Sequence, residues 1–359
     1  MIKYIRIKMF YGILVLWGVV TLVFILFQVM PGDPARMMLS QREDSKQLKI
    51  IKQQYGFDKP ILHQYFLYLN DISPISFHNV VEVNSPTYLT HEKYTFISVV
   101  SFSSNKIVVK FPYLRESFSK RGKSVNSVIS ETFPLTLTLA LSSIIFAIII
   151  GLGLGILSAL FNETVLDKLI LTLSVFGMSL PSFFASILIS WIFAFVLHDF
   201  TGLNMTGSLY EIDDYGRGTF INLKNLILPT LTLGIRPLSV IIQLSRSSIL
   251  EVLKTDYIRT ATAKGLSKFI VVFKHTLRNA INPVVTVISG CFASLLAGAV
   301  FVEYIFAWNG IGKEIVDGLN NMDMPVVMGS VLIVSSAFIV INIMVDVTYA
   351  LVDPRVRLK

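Results

Sequence analysis

The residues best equipped for chemistry lie between Ser247 and Pro283, in SSILEVLKTDYIRTATAKGLSKFIVVFKHTLRNAINP. Lys254, Arg259, Lys264, Lys268, Lys274 and Arg278 stand there against Glu251 and Asp256, in a half of the chain that is otherwise apolar. The chemistry on offer is recognition rather than bond-breaking. Lys254–Lys264 is polar, with Ile258 and Ala261 on one face. Gly265 can take the left-handed conformation that ends a helix, and Ser267 can cap a second helix by accepting a backbone N–H bond. In that second helix Ile270, Phe273 and Leu277 recur at i, i+3 and i+7 and predict a buried seam. The stretch reads as a helix-turn-helix finger lying along a membrane surface, its seams on apolar spans and its tip free for a soluble partner. A merely solvated basic loop would need neither the Gly-x-Ser break nor the seams.

Other chemistries lack their residues. G-x-x-x-x-G-K-[ST], H-E-x-x-H and G-x-S-x-G do not occur, so a Walker loop, a zinc protease site and a nucleophile elbow are all missing. His63, His78, His91, His198 and His275 are scattered through loops and span ends and read as solvated side chains. Cys291 is the single cysteine and can form neither an intrachain disulfide nor a metal cluster. No catalytic residue, cofactor or metal is expected. Gly151, Gly153 and Gly155 fall inside an apolar run, where they predict close helix packing rather than phosphate binding. Ionisable residues within spans are costly and default to functional hypotheses. Arg236 is one, and it either lines a polar pathway or pairs with a neighbour. Asp346, four residues after Asn342, reads as a structural anchor. A proton-driven carrier would need several mid-membrane carboxylates or histidines, which this chain lacks.

The elements that position these residues follow from composition. The 359 residues are 53% hydrophobic and 15% charged, with a mean hydropathy of +0.67, whereas soluble domains carry about 25% charged residues. The net charge of +8 does not imply nucleic acid, because the basic residues cluster beside apolar spans and no aromatic-basic groove accompanies them. About 20 apolar residues cross a bilayer, and six stretches qualify: Met9–Met30, Leu135–Leu160, Ile170–Leu197 with a kink at Pro181, Leu226–Leu244, Ala280–Val302 and Val326–Val345. Lys3, Arg6 and Lys8, the 245–279 loop and the tail Arg355, Arg357 and Lys359 are basic, while the 198–225 loop carries Asp199, Glu211, Asp213 and Asp214. By the positive-inside rule both termini are cytoplasmic. The expected fold is an all-α polytopic membrane protein with three parts: 1–30, an external segment 31–133, and a five-helix core 134–359. In the external segment Pro31-Gly32-Asp33-Pro34 stops the first helix, and helix-like stretches follow at Ala35–Tyr55 and Ile61–Asn70. Tyr94–Ser101 and Lys106–Phe111, rich in β-branched and aromatic residues, predict a β-hairpin.

DYIRTATAKGLS followed by HTLRNAINPVVT resembles the permease loop of ABC importers, in the form found in dipeptide and oligopeptide permeases. LFQVMPGDPA, YGFDKPILHQYFLYL, RGKSVNSVISETFPLTLTLAL, VEYIFAWNGIGKEIVDGL and LVDPRVR are similar to the same family, in order and over nearly the full length. Two positions depart from the general importer loop: Arg259-Thr260-Ala261 stands where Glu-Ala-Ala is usual, and Arg278 replaces a later proline. Both departures fit the peptide branch, whereas the 75–112 region is longer than the family leads one to expect. The resemblance implies a permease subunit in the bacterial inner membrane, paired with a second homologous permease, two ABC ATPase subunits and an extracytoplasmic peptide-binding protein. It implies ATPase contacts at Asp256, Tyr257, Arg259, Ala261, Ala263, Lys264, Gly265, Leu266 and Ser267. Glu303, Asn309, Gly310 and Gly312 would face the binding protein. Related importers for nickel, glutathione or peptide antibiotics share this architecture. A stand-alone secondary carrier or channel is the competing class.

Overall fold

A chain this apolar must satisfy its backbone N–H and C=O groups internally wherever it meets lipid, and helices do so within one segment. The computed structural model describes residues 2–29, 35, 45–82, 85–91, 93–213 and 218–352. In order, the elements are α1 (Ile2–Val29), α2 (Ser45–Tyr55), α3 (Ile61–Ile72), β1 (Ile75–Asn79), β2 (Phe96–Ser101), β3 (Asn105–Lys110), α4 (Val125–Leu160), α5 (Val165–Ser179), α6 (Ser182–Ser190), α7 (His198–Thr201), β4 (Tyr210–Ile212), β5 (Thr219–Ile221), α8 (Lys224–Leu253), α9 (Asp256–Ala263), α10 (Lys268–Ile270), α11 (Leu277–Gly298), α12 (Val300–Ile305), α13 (Ile311–Asn320) and α14 (Met324–Val352). The Pro31–Pro34 stop, most of 35–44 and the basic tail lie outside the described residues.

Among the described residues, five helices are long and apolar enough to span a bilayer: Tyr4–Gln28, Val125–Leu160, Lys224–Leu253, Val271–Gly298 and Met324–Val347. The expected third span is not one kinked helix. It is a pair, Val165–Ser179 and Ser182–Val196, bent by 110°, which is a broken span or a re-entrant loop. Pro181 causes the break: its ring pushes the preceding residue out of the helical region, and Leu180 takes φ −73°, ψ 129°. Trp191–Val196 then continues α6 as a π-helical turn.

The described residues form two compact units. One comprises Val15–Glu131 and Glu314–Ile333. The hairpin expected from the sequence is present as β2 and β3, and β1 joins it to make a three-stranded antiparallel sheet of order β1-β3-β2, with Ile75 opposite Val109 and Phe96 opposite Lys110. Buried Asp71 organises the edge of this unit. Its carboxylate accepts from Arg115 Nε at 2.9 Å and Tyr94 OH at 3.2 Å, and its carbonyl accepts from Lys110 Nζ at 2.9 Å. Burial pushes the Lys110 ammonium down to about 8. A second buried carboxylate, Asp323, accepts from the backbone N–H groups of Phe118 at 3.1 Å and Ser119 at 3.0 Å.

The other unit comprises Met1–Leu14, Thr132–Lys313 and Val334–Lys359. Its core joins Leu135, Leu139 and Ile144 of α4 to Leu228 and Leu233 of α8, Leu295 and Leu296 of α11, and Phe306 and Trp308 beyond α12. Lipid tails are as apolar as leucine, so helices here associate by close packing and interhelical polar contacts. The glycines show it. A Cβ on Gly151 would lie 2.9 Å from Ile241 Cγ2, and one on Gly155 would lie 2.7 Å from Ser245 Cβ and 3.0 Å from the Ile242 carbonyl. Gly234 of α8 reciprocates, its Cβ position 3.1 Å from the Ser143 carbonyl. Gly153 meets nothing within 4 Å. Lys8 pairs with Asp346 at 2.8 Å, consistent with the anchoring role expected of that aspartate.

The packing yields a paired prediction. Gly155→Leu forces α4 and α8 apart and costs about 1–3 kcal/mol, while Gly153→Leu is nearly neutral. Thermal unfolding of the two variants in detergent checks this, and equal midpoints would contradict it.

Candidate functional site

The finger begins where α8 ends. Thr255 is extended (φ −75°, ψ 152°) and starts α9, whose Ile258 and Ala261 are 3% and 8% exposed. These two residues pack with Val271, Val252 and Leu253, so the inward face expected of Ile258 and Ala261 exists. Gly265 has φ +79°, the left-handed conformation that glycine adopts without a Cβ penalty. Its N–H donates to the Thr262 carbonyl at 3.0 Å, and the Leu266 N–H donates to the Ala261 carbonyl at 3.4 Å. Ser267 caps the following helix through a long 3.5 Å bond from Ile270 N–H.

The seam Ile270, Phe273, Leu277 does not form: Ile270 and Phe273 are 39% and 46% exposed, and Val271, Val272 and Thr276 are buried instead. A π-helical turn spans Val271–Thr276 between α10 and α11, so this stretch does not follow the 3.6-residue period on which the expected seam rests. Ala261, assigned to the partner contact, faces the chain's own core. Asp256, Tyr257, Arg259, Ala263, Lys264, Gly265, Leu266 and Ser267 are all exposed. Arg259 Nη1 lies 3.3 Å from Asp256 on the open surface, a pair of little energetic weight. Tyr257 is tied down, its hydroxyl accepting from Asn279 Nδ2 at 2.7 Å.

Arg236 sits near the middle of α8, exposed from the fold of its own chain. It borders a cavity of about 410 Å³ whose walls also include Leu180 and Ser182 at the α5–α6 break, Thr232, Cys291 and Ser294. Arg236 has no hydrogen-bond or ion-pair partner among the described residues, so pairing with a neighbour in this chain is not what the structure shows.

The segment after α11 differs from expectation. Glu303 is fully buried, and Gly310 and Gly312 are buried with it; of the four residues assigned to a binding-protein surface, Asn309 alone is exposed. Glu303 holds the segment together. Its Oε2 accepts from the Gly312 N–H at 2.6 Å and the Lys313 N–H at 3.3 Å, in the first turn of α13. A Cβ on Gly310 would overlap the Glu303 carboxylate and the Thr136 hydroxyl, and one on Gly312 would lie 2.5 Å from Val300 Cα. Trp308 Nε1 donates to the Leu135 carbonyl at 3.1 Å. The glycines are therefore packing requirements of a buried turn.

Sequence reasoning missed a second clamp. Arg246 Nε and Nη2 each donate to Asp167 at 2.7 Å, and Ser158 Oγ and the Glu163 N–H reach the same carboxylate at 2.5 and 2.9 Å. This bidentate pair joins α5 to α8 and the end of α4. An acid in a short loop and a lone Arg near the end of a span were its only sequence signals.

Residues 151–358 match the family described as binding-protein-dependent transport system inner membrane component, and residues 1–90 match its N-terminal membrane component. The chain belongs to this family. The permease is 32% identical over 358 residues to the dipeptide transport system permease protein DppB of Alkalihalophilus pseudofirmus, covering 96% of each chain. It is 34% identical to the di/tripeptide transport system permease protein DppB of Pseudomonas aeruginosa, covering 95% of this chain and 94% of that one. It is 35% identical to the glutathione transport system permease protein GsiC of Salmonella typhimurium, with the same coverage. It is thus a multi-pass ABC transporter permease.

Burial pushes the Glu303 carboxyl up to about 7. With its folded value raised, the stability tied to its proton is full below the unfolded range near 4.5 and is lost as pH rises to about 7. The permease in detergent should lose up to about 3 kcal/mol between pH 4.5 and 7.5 that Glu303→Gln does not lose. Tryptophan-fluorescence melts across that range measure the difference, and parallel curves would contradict the assignment.

Proposed function

We propose that the permease forms one half of the translocation pathway of an importer for short peptides, driven by two separate ATPase subunits that grip the α9 finger. A second, homologous permease completes the pathway, and an extracytoplasmic binding protein delivers the peptide. ATP hydrolysis belongs to the ATPase subunits, and this chain contributes no catalytic group. Both termini and the finger lie on the cytoplasmic side of a bacterial cytoplasmic membrane.

The observation that carries this reading is the finger itself. A buried face of Ile258 and Ala261 fixes α9 to Val252 and Leu253 at the end of α8 and to Val271, while a glycine break at φ +79° presents Arg259, Lys264, Leu266 and Ser267 outward. A rigid base with an exposed, basic, structured tip supports docking into a soluble partner. The finger also follows directly on α8, so a push on it is delivered to the helix that carries Arg236. Short peptides are the favoured cargo because three relatives bear names for dipeptide, di/tripeptide and glutathione transport, and glutathione is itself a tripeptide. Nickel and peptide antibiotics are the alternatives within the same architecture, and direct uptake assays separate them.

Proline at 265 requires φ near −65° and has no N–H, whereas the finger needs φ +79° and the bond to the Thr262 carbonyl. Gly265→Pro should therefore reduce peptide uptake and transport-stimulated ATPase activity at least about tenfold in reconstituted transporter. Membrane insertion and melting temperature should stay close to those of the parent, because Gly265 is exposed and touches no core residue. Uptake at the parental rate would overturn the coupling reading.

A further inference from the structure

A guanidinium inside a membrane-spanning helix is retained only where something offsets its desolvation, and Arg236 finds no such group among the described residues. The cavity beside it has about 410 Å³, within the roughly 300–1,000 Å³ typical of small-molecule sites. No acidic residue lines it. Two of its hydroxyls are oriented by the backbone: Thr232 donates to the Leu228 carbonyl at 2.8 Å and Ser294 to the Cys291 carbonyl at 2.8 Å. Their donor positions are spent, and their remaining lone pairs are acceptors. The cavity therefore offers one fixed cation with a planar fork of donors, and a few acceptors on a largely apolar wall. The complementary ligand carries a carboxylate at one end and N–H groups a short distance away.

We propose that this cavity is a carboxylate-binding station on the translocation pathway, in which Arg236 receives the terminal carboxylate of a peptide in passage. This rests on the peptide-importer reading above. A guanidinium binds a carboxylate through two parallel N–H···O bonds, and the cavity's acceptors take the peptide's N–H groups. The station makes passage favourable for a free-carboxylate peptide and leaves a capped one without its strongest contact.

Cys291 reports on the site directly, being the single cysteine of the chain and part of the cavity wall. The assembled transporter in proteoliposomes is labelled with two methanethiosulfonates of similar size, one bearing a sulfonate and one a trimethylammonium. Cys291 modification is read by mass spectrometry and normalised to each reagent's rate with a free thiol. The sulfonate should react about tenfold faster or more, and the ratio should fall to about one in Arg236→Gln and persist in Arg236→Lys. Alanyl-alanine should slow labelling, and its C-terminal amide should not. A ratio unchanged by Arg236→Gln, or already near one in the parent because an acid of the second permease pairs with Arg236, overturns the proposal. Equal protection by dipeptide and amide overturns it as well. Protection by glutarate without protection by alanyl-alanine leaves an anion site and overturns the peptide reading beneath it, whereas peptide uptake with no Arg236-dependent labelling overturns the station alone.

Discussion

The close approach of α4 and α8 is the constraint on which the remainder of the helical core depends. Gly151 and Gly155 on one helix and Gly234 on the other leave no room for a Cβ, and lipid supplies no hydrophobic drive to press the helices together. Dispersion along these bare backbones, with the Asp167–Arg246 pair at one end, fixes α8 in place. α11 then packs along it, filling the core with Leu295 and Leu296. α8 is also the one element that carries Arg236 in its middle and leads into the finger. Holding α8 rigid therefore joins the two places where the permease has charge to use.

Two departures from regular α-helix lie at these places. The Leu180–Pro181 break opens one wall of the cavity. The π turn at Val271–Thr276 lies beneath the finger, where Val271 receives Ile258 and Ala261. Such turns insert an extra residue at a cost in hydrogen-bond geometry and are found disproportionately at functional sites. In lipid they are tolerated where neighbouring helices restore the freed backbone groups, and the Val271–Thr276 turn packs against the finger and the end of α8.

Much of this was legible in the residues. Apolar length located the spans, because crossing hydrocarbon demands it. Gly265 and Ser267 announced the break in the finger, because left-handed backbone and helix capping have narrow residue requirements. What was not legible depended on long-range geometry. The seam Ile270, Phe273, Leu277 obeyed helical periodicity, but Val271–Thr276 winds as a π turn, which no local pattern announces. Glu303, Gly310 and Gly312 sat in a polar-looking stretch between spans, yet they pack inward because Thr136 and Val300, distant or separated in sequence, enclose them. The Asp167–Arg246 pair joins residues 79 apart, and neither partner stands out alone.

Site-specific cross-linking shows whether an ATPase engages the outward face of α9. A photoreactive amino acid at position 264 or, as a control, at 258 is placed in the full-length permease. Each variant is then assembled with its purified ATPase subunits. Lys264 is exposed and Ile258 is 3% exposed, so an ATPase adduct is expected from 264 and none from 258. An absence of ATPase adduct at 264, or equal adducts from both positions, would contradict that engagement.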